Sequence, residues 1–206
     1  MIGHYINNPG VNKPDVKGNA YNYIMAGNGI FLQAMNDYFY SFFPVSQTEV
    51  RGLSSMSSLP CVMRQGKIPL YLLRLATDIM FAHAEKEYYA AVTWDNGYHL
   101  VVPPQSGSAS EVNYRQPDNA VMDLHSHGSG PAAFSLQDNR DEQGFRLYAV
   151  IGRLGDIPEM SLRIGVYGYF CRLDFTRVFD GDPYWLNDRC RAANEEGRYA
   201  IPSAAD

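Results

Sequence analysis

The sequence predicts an α/β protein: a main domain that mixes β-strands with helices, preceded by a strand-rich N-terminal extension. Three observations carry that expectation. An apolar stripe at helical spacing follows Pro69, apolar and β-branched runs of strand length recur on both sides of it, and the run ending in His125 leads through a small-residue loop into a second helix start at Ser135.

Residues 1–19 are rich in Asn, Gly, Pro and Lys, with Asn8-Pro9-Gly10 as a turn signal, and read as an irregular lead-in. Residues 21–25, 29–35 and 37–45 are short aromatic and β-branched runs separated by Gly27-Asn28-Gly29 and Asn36-Asp37, a small meander of strands. Tyr38, Phe39, Tyr40, Phe42 and Phe43 crowd the third run, so both of its faces should be covered by core packing. Residues 51–67, rich in Ser, Gly and Met, read as loop. They set a boundary between an extension (1–66) and a main domain (67–180), with a polar tail (181–206) that Trp185 anchors.

Pro69 suits the first turn of a helix, where its missing N–H costs little. Leu72, Leu75, Ala76, Ile79 and Met80 continue that helix to about residue 84, with His83 complementing its C-terminal dipole. Residues 87–94 are a strand, Asp95-Asn96-Gly97 a hairpin turn, and 98–102 the return. A long polar connection, 103–119, contains an extended piece at 111–114 expected to pair with the central sheet. After Ser135, residues 139–145 continue the second helix, with Asp141 and Glu142 as its solvated acidic face. Residues 147–152 suit a buried strand, 160–169 and 170–179 a final pair, and Asp180-Gly181-Asp182-Pro183 ends the pattern.

With 206 residues and 46% hydrophobic content, the chain can bury a proper core. A net charge of −5 argues against a sequence-independent grip on nucleic acid or an anionic membrane, both of which need concentrated Lys and Arg. Cys61, Cys171 and Cys190 are odd in number and widely spaced, which suggests neither a disulfide framework nor a Cys-x-x-Cys zinc site. A reducing, cytoplasmic setting is expected, and no run approaches the roughly 20 apolar residues that span a bilayer.

The chemistry gathers at Asp123-Leu124-His125-Ser126-His127-Gly128 and Ser135-Leu136-Gln137-Asp138. Histidines at i and i+2 of a strand share a side, because side chains alternate with period two. The loop Gly128-Ser129-Gly130-Pro131 turns the chain, and the first helical turn after Ser135 brings Asp138 back to the same place. Two imidazoles and a carboxylate leave a fourth tetrahedral position open, the arrangement of a catalytic zinc site. Asp123 could orient a ligand or be a plain strand-end carboxylate.

The string His-x-His-x(7)-Ser-x(2)-Asp resembles the JAMM motif of the JAB/MPN metalloproteases, in which a Glu stands upstream. The resemblance covers about residues 67–180. It implies a mixed β-sheet with helices on both sides, the JAB/MPN (cytidine-deaminase-like) fold. It also implies Zn2+ held by His125, His127 and Asp138, and Ser135 donating a hydrogen bond to the oxyanion. The family's Glu opens the strand after the first helix in a pattern like Glu-x-x-Gly, which Glu87-Tyr-Tyr-Ala resembles; Glu85 is the competing choice. Gly128 stands where Pro often follows the second His.

Zinc at these ligands would lower the pKa of a bound water to about 7. Glu87 would then pass a proton from that water to the leaving amine, so the reaction class is amide hydrolysis. The resemblance implies cleavage after the C-terminus of a ubiquitin-like protein, with an E1-like (ThiF-type) protein as a further partner; the charge and composition above argue for no nucleic acid and no membrane. The aromatic extension before a compact domain is also similar to proteins of a ParB-related, ThiF-related cassette. Alternatives are another substrate on the same fold (a peptide, a sulfur-carrier precursor or a RadC-like role) and a non-catalytic MPN binding module.

Overall fold

The structure, a computed structural model, describes residues 1–8, 16, 18–108 and 111–188. Its contacts divide the chain into two compact units, the first built on Met1–Gly66 with Tyr169–Cys171 and the second on Lys67–Gly168 with the described residues from Arg172 on.

The first unit is a five-stranded sheet in the order β1-β2-β3-β4-β5. Its strands are β1 Ile2–Ile6, β2 Tyr21–Ala26, β3 Gly29–Met35, β4 Phe39–Ser46 and β5 Leu59–Met63. The meander β2-β3-β4 runs as the sequence predicts. Phe31 stacks on Phe42 at 4.9 Å within a core that includes Ile24 and Ala26. Phe39, Phe42 and Phe43 are all buried, so both faces of β4 are covered. Two expectations fail. The lead-in is not wholly irregular, because Ile2–Ile6 pairs in parallel with β2. The 51–67 segment is not all loop, because Leu59–Met63 pairs with β4. Both are edge strands, each paired on one side only.

The second unit holds α1 Leu70–Phe81, β6 Tyr89–Trp94, β7 Tyr98–Val101, β8 Gln105–Gly107, β9 Val112–Tyr114, β10 Ala120–Ser126 and α2 Leu136–Asp141. It continues with β11 Phe145–Gly152, β12 Glu159–Val166 and β14 Asn187–Asp188; β13 Tyr169–Arg172 falls largely in the first unit. Within the second unit the central sheet runs β12-β11-β10-β6-β7, with β14 beside β12. It is mixed: β10 and β11 are parallel, whereas β10 with β6 and β11 with β12 are antiparallel.

Residues opposite one another on neighbouring strands share a face, and the register separates this sheet into two. Ala90 and Val92, Met122 and Leu124, Leu147, Ala149 and Ile151, then Met160, Leu162 and Ile164 form one face, all at most 1% exposed. This is the core. Tyr89, Asp123, His125, Tyr148, Ser161 and Arg163 line the other face. The alternation Met122-Asp123-Leu124-His125 therefore reads out directly as an apolar floor and a polar working surface.

α1 lies against β6 and β7. Its buried residues are Leu72, Leu73, Ala76, Thr77 and Met80, a stripe turned slightly from the expected one, so that Leu75 is exposed and Leu73 and Thr77 face inward. Thr77 is accommodated because its hydroxyl donates to the Leu73 carbonyl at 2.9 Å. Pro69 supplies no side-chain cap, and the N–H of Leu70 is satisfied instead by Asp180 Oδ1 at 2.7 Å. The helix stops at Phe81, and the ring of His83 stacks on Tyr88 with 4.4 Å between centroids.

Four other expectations are corrected. Residues 112–114 pair with β8 in a separate two-stranded ribbon, not with the central sheet, because their own polar flanks suit an exposed hairpin. The second helix ends at Asp141, and Phe145 already pairs with Val166 of β12. The final strand stops at Arg172, after which Asp174 caps a short 3-10 turn, Phe175–Arg177. Glu142 is not part of a solvated face, as shown below. Trp185 is anchored by the guanidinium of Arg74, 5.1 Å from its ring centre. The tail beyond residue 188, Cys190 included, lies outside the described residues. Among the described residues no helix is long and apolar enough to cross a membrane.

Candidate metal centre

His125 sits near the end of β10 and His127 one residue past it. The N–H of His127 still pairs with the Ile151 carbonyl at 2.9 Å, which extends the parallel ladder just far enough to keep both imidazoles on the polar face. The loop that follows is pinned to the end of β11, since Arg153 and Leu154 donate to the carbonyls of Gly130 and Gly128. Gly152 makes the crossing possible: a Cβ there would lie 2.4 Å from the Gly130 carbonyl oxygen. Gly128 has φ +52, a conformation closed to proline.

Ser135 then caps α2 through a reciprocal pair of hydrogen bonds. Its Oγ accepts from the Asp138 N–H at 3.1 Å, while Asp138 Oδ2 accepts from the Ser135 N–H at 2.6 Å. One carboxylate oxygen is thus fixed by the cap and the other, Oδ1, points at His125 Nε2, 3.2 Å away. The two Nε2 atoms are 3.1 Å apart, and His127 Nε2 is 3.9 Å from Asp138 Oδ2. Ligands about 2.0–2.1 Å from a tetrahedral ion stand about 3.3 Å from one another, so the three groups fit the edges of one coordination sphere. His127 Nδ1 lies 3.2 Å from the Pro131 carbonyl, which fixes the proton on that nitrogen and leaves the Nε2 lone pair to bind an ion.

The titration of these groups follows from the same contacts. Burial would raise Asp138, but the hydrogen bond and charge of His125 and the cap at Ser135 hold it well below the usual carboxylate range. Burial would lower His125, yet Asp138 raises it overall; His127 is lowered by burial and by the charge of His125.

Glu87 lies just before β6. Its N–H is held by the Ser108 carbonyl at 2.8 Å, and Tyr88 beside it is bound by Ser126 through both backbone and hydroxyl. Burial raises the Glu87 carboxyl above its ordinary range, His125 opposes, and Asp138 and Glu111 add to the rise. It is therefore within electrostatic reach of the cluster, whereas Glu85 is exposed.

Asp123 is neither strand-end nor aimed at a ligand. It is 5% exposed, accepts from the Tyr89 hydroxyl at 2.6 Å and from Gln116 at 2.5 Å, and faces Arg146. Burial raises its pKa in spite of those partners. Tyr114 of the ribbon stacks on Tyr89 at 3.5 Å, and Gln105 brackets the Tyr89 backbone at both N–H and carbonyl, so this network fixes the start of β6 and with it Glu87. Tyr89→Phe should cost about 1.5–3 kcal/mol by leaving a buried carboxylate short of a donor. Urea unfolding checks it, and an unchanged midpoint would remove the network from the list of stabilising features.

Sequence reasoning missed Glu142 and Arg163. Glu142 receives two guanidinium hydrogen bonds from Arg163, one of them 2.9 Å from Nε, and burial pushes its carboxyl up to about 7 against that attraction. Its position after an acidic helical turn resembles any surface carboxylate, and nothing local to either residue announces the pairing.

A mixed sheet with a His, His, Asp cluster compatible with a metal at the mouth of its parallel pair defines an α/β protein of the JAB/MPN fold with a strand-rich N-terminal part. Residues 78–165 match the family described as prokaryotic homologs of the JAB domain, and this segment, under half of the chain, contains Glu87, His125, His127, Ser135, Asp138 and Arg163. The match supports placing the segment in the JAB/MPN family. No curated protein matches the chain.

Proposed function

We propose that the chain is a zinc-dependent peptidase or isopeptidase that hydrolyses the amide bond after the C-terminus of a ubiquitin-like protein. The observation that carries this reading is the convergence of His125, His127 and Asp138, whose donor atoms lie within 4.8 Å of one another, beside a carboxyl of raised pKa. A divalent ion at those donors supplies a Lewis acid for the scissile carbonyl and acidifies water at neutral pH. Glu87 takes up the proton of the attacking water and returns it to the leaving nitrogen, a relay that suits a carboxyl tuned upward from its usual range. Ser135 uses its oxygen to cap α2, and a hydroxyl has one hydrogen left to donate toward the developing oxyanion. His127 is held in one tautomer by Pro131, so no reorganisation is needed before it ligates.

The ubiquitin-like substrate and an E1-like (ThiF-type) partner are proposed from the resemblance of the motif. Purified protein is expected to contain about one zinc per chain and to release a reporter fused after the C-terminal glycines of a ubiquitin-like protein, with chelation abolishing release. Protein that binds no zinc would defeat the metal reading. Zinc-loaded protein inert toward a panel of such fusions but active on short peptides would move the substrate and keep the chemistry.

A further inference from the structure

We propose that Arg163 is a positioning residue for the metal centre: its guanidinium rivets α2, which carries Asp138, to the sheet that carries the histidines. The consequence for metal rests on the reading above; the contact itself does not.

α2 has only six residues and none of them is buried. A helix so short has no stability of its own in water, and the cap at Ser135 orders only its first turn. Yet a metal ligand has to be held within about 0.5 Å of its productive place, and here the other two ligands belong to a different element. Something from the sheet must fix α2.

Arg163 is placed to do so. It is 5% exposed in the middle of β12, opposite Tyr148, which in turn stands opposite Asp123 on the strand that bears His125. Its Nη1 donates to Asn139 Oδ1 at 2.6 Å, its Nε to Glu142 Oε2 at 2.9 Å, and its Nη2 to the same Glu142 oxygen. Its guanidinium carbon lies 3.6 Å from the centre of the Phe134 ring. Phe134 immediately precedes the cap, Asn139 follows Asp138, and Glu142 closes the helix. One planar group therefore grips the segment before, within and after the turn that presents Asp138. A lysine could supply the charge but not the fork and the stacking face together.

The test compares Arg163→Met and Arg163→Lys with Leu72→Ala, which weakens the buried face of α1 and leaves α2 untouched. In the metal-free full chain, the amides of Asn139 and Glu142, bonded to the carbonyls of Ser135 and Asp138 at 3.2 and 2.9 Å, are read by hydrogen exchange. Cobalt(II) affinity and visible absorption are read on the same proteins. Arg163→Met is expected to speed exchange at both amides about tenfold or more with the β10 amides unchanged. It should also weaken cobalt binding by about 10–100-fold and alter the absorption band. Arg163→Lys should recover thermal stability but not affinity, and Leu72→Ala should lose stability with normal exchange in α2 and a normal spectrum. Exchange and spectrum unchanged in Arg163→Met, or shifted equally in Leu72→Ala, would overturn the proposal. Should Arg163→Met fail to fold, Glu142→Gln is expected to move the same readouts in the same direction, and its failure to do so is equally decisive. A wild-type chain that takes up no cobalt defeats the metal reading alone, while the α2 exchange still decides the role of Arg163.

Discussion

Glu87→Gln is expected to reduce amide hydrolysis by about two to four orders of magnitude while zinc content and the thermal midpoint stay at wild-type values. Glutamine preserves shape and removes the charge together with the ability to carry a proton. The backbone at this point is fixed independently of the carboxyl, by the Ser108 carbonyl on one side and by Ser126 on the neighbouring Tyr88 on the other. The side chain is outside the three-donor cluster, so metal retention separates loss of a base from loss of the site. The pH profile adds a second check. Burial lifts this carboxyl above the ordinary range, and a base must be ionised to work, so kcat/KM should fall on the acid side at a pH above that of an unperturbed carboxylate. A Gln variant with full turnover would reassign the base, and Glu85→Gln would then be the next measurement.

Asp138→Asn should remove the metal. Asparagine keeps an oxygen able to accept the Ser135 N–H, so α2 keeps its start, but the charge facing His125 at 3.2 Å is gone. Zinc affinity is expected to drop by more than about 100-fold, beyond what the loss of a supporting residue costs, and hydrolysis should fall to background. The wild-type site should respond to acid in the same sense. His125 is held protonated to a higher pH than usual by Asp138, and a proton there competes with the ion, so zinc uptake should release protons and weaken as pH falls, beginning above the range of an ordinary imidazole. Isothermal calorimetry in two buffers of different ionisation enthalpy measures that release. Equal zinc affinity in wild type and Asp138→Asn would remove Asp138 from the ligand set.

What could be read from the sequence was local. Two residues apart on a strand, His125 and His127 share a side for reasons that need no tertiary information, and Ser135 with Asp138 forms a cap within a single turn. The strands β2 to β4 and the helix after Pro69 likewise announce themselves by periodicity. What escaped was set by partners far along the chain. Asp180 caps α1 from 110 residues away, and Arg163 meets Glu142 across 21. Strand β1 has too few residues to be read alone and is defined by its parallel neighbour. Glu142 looked like an ordinary helix-end carboxylate because charge says nothing about which cation lies beneath it. Asp123 looked like a candidate orienter of a ligand until Tyr89 and Gln116 claimed its oxygens.

The reach of Asp180 to the first amide of α1 sets a minimum length for any working excerpt of this molecule. Ile68 bridges to Phe179, and Val178 and Phe179 are at most 1% exposed, so the stretch just beyond the matched segment closes the floor under the first helix. Trimming the polypeptide at residue 165 would open that helix at its origin and uncover apolar surface, even with every proposed ligand still aboard. The proposed chemistry occupies a short span, but the smallest piece able to support it is longer.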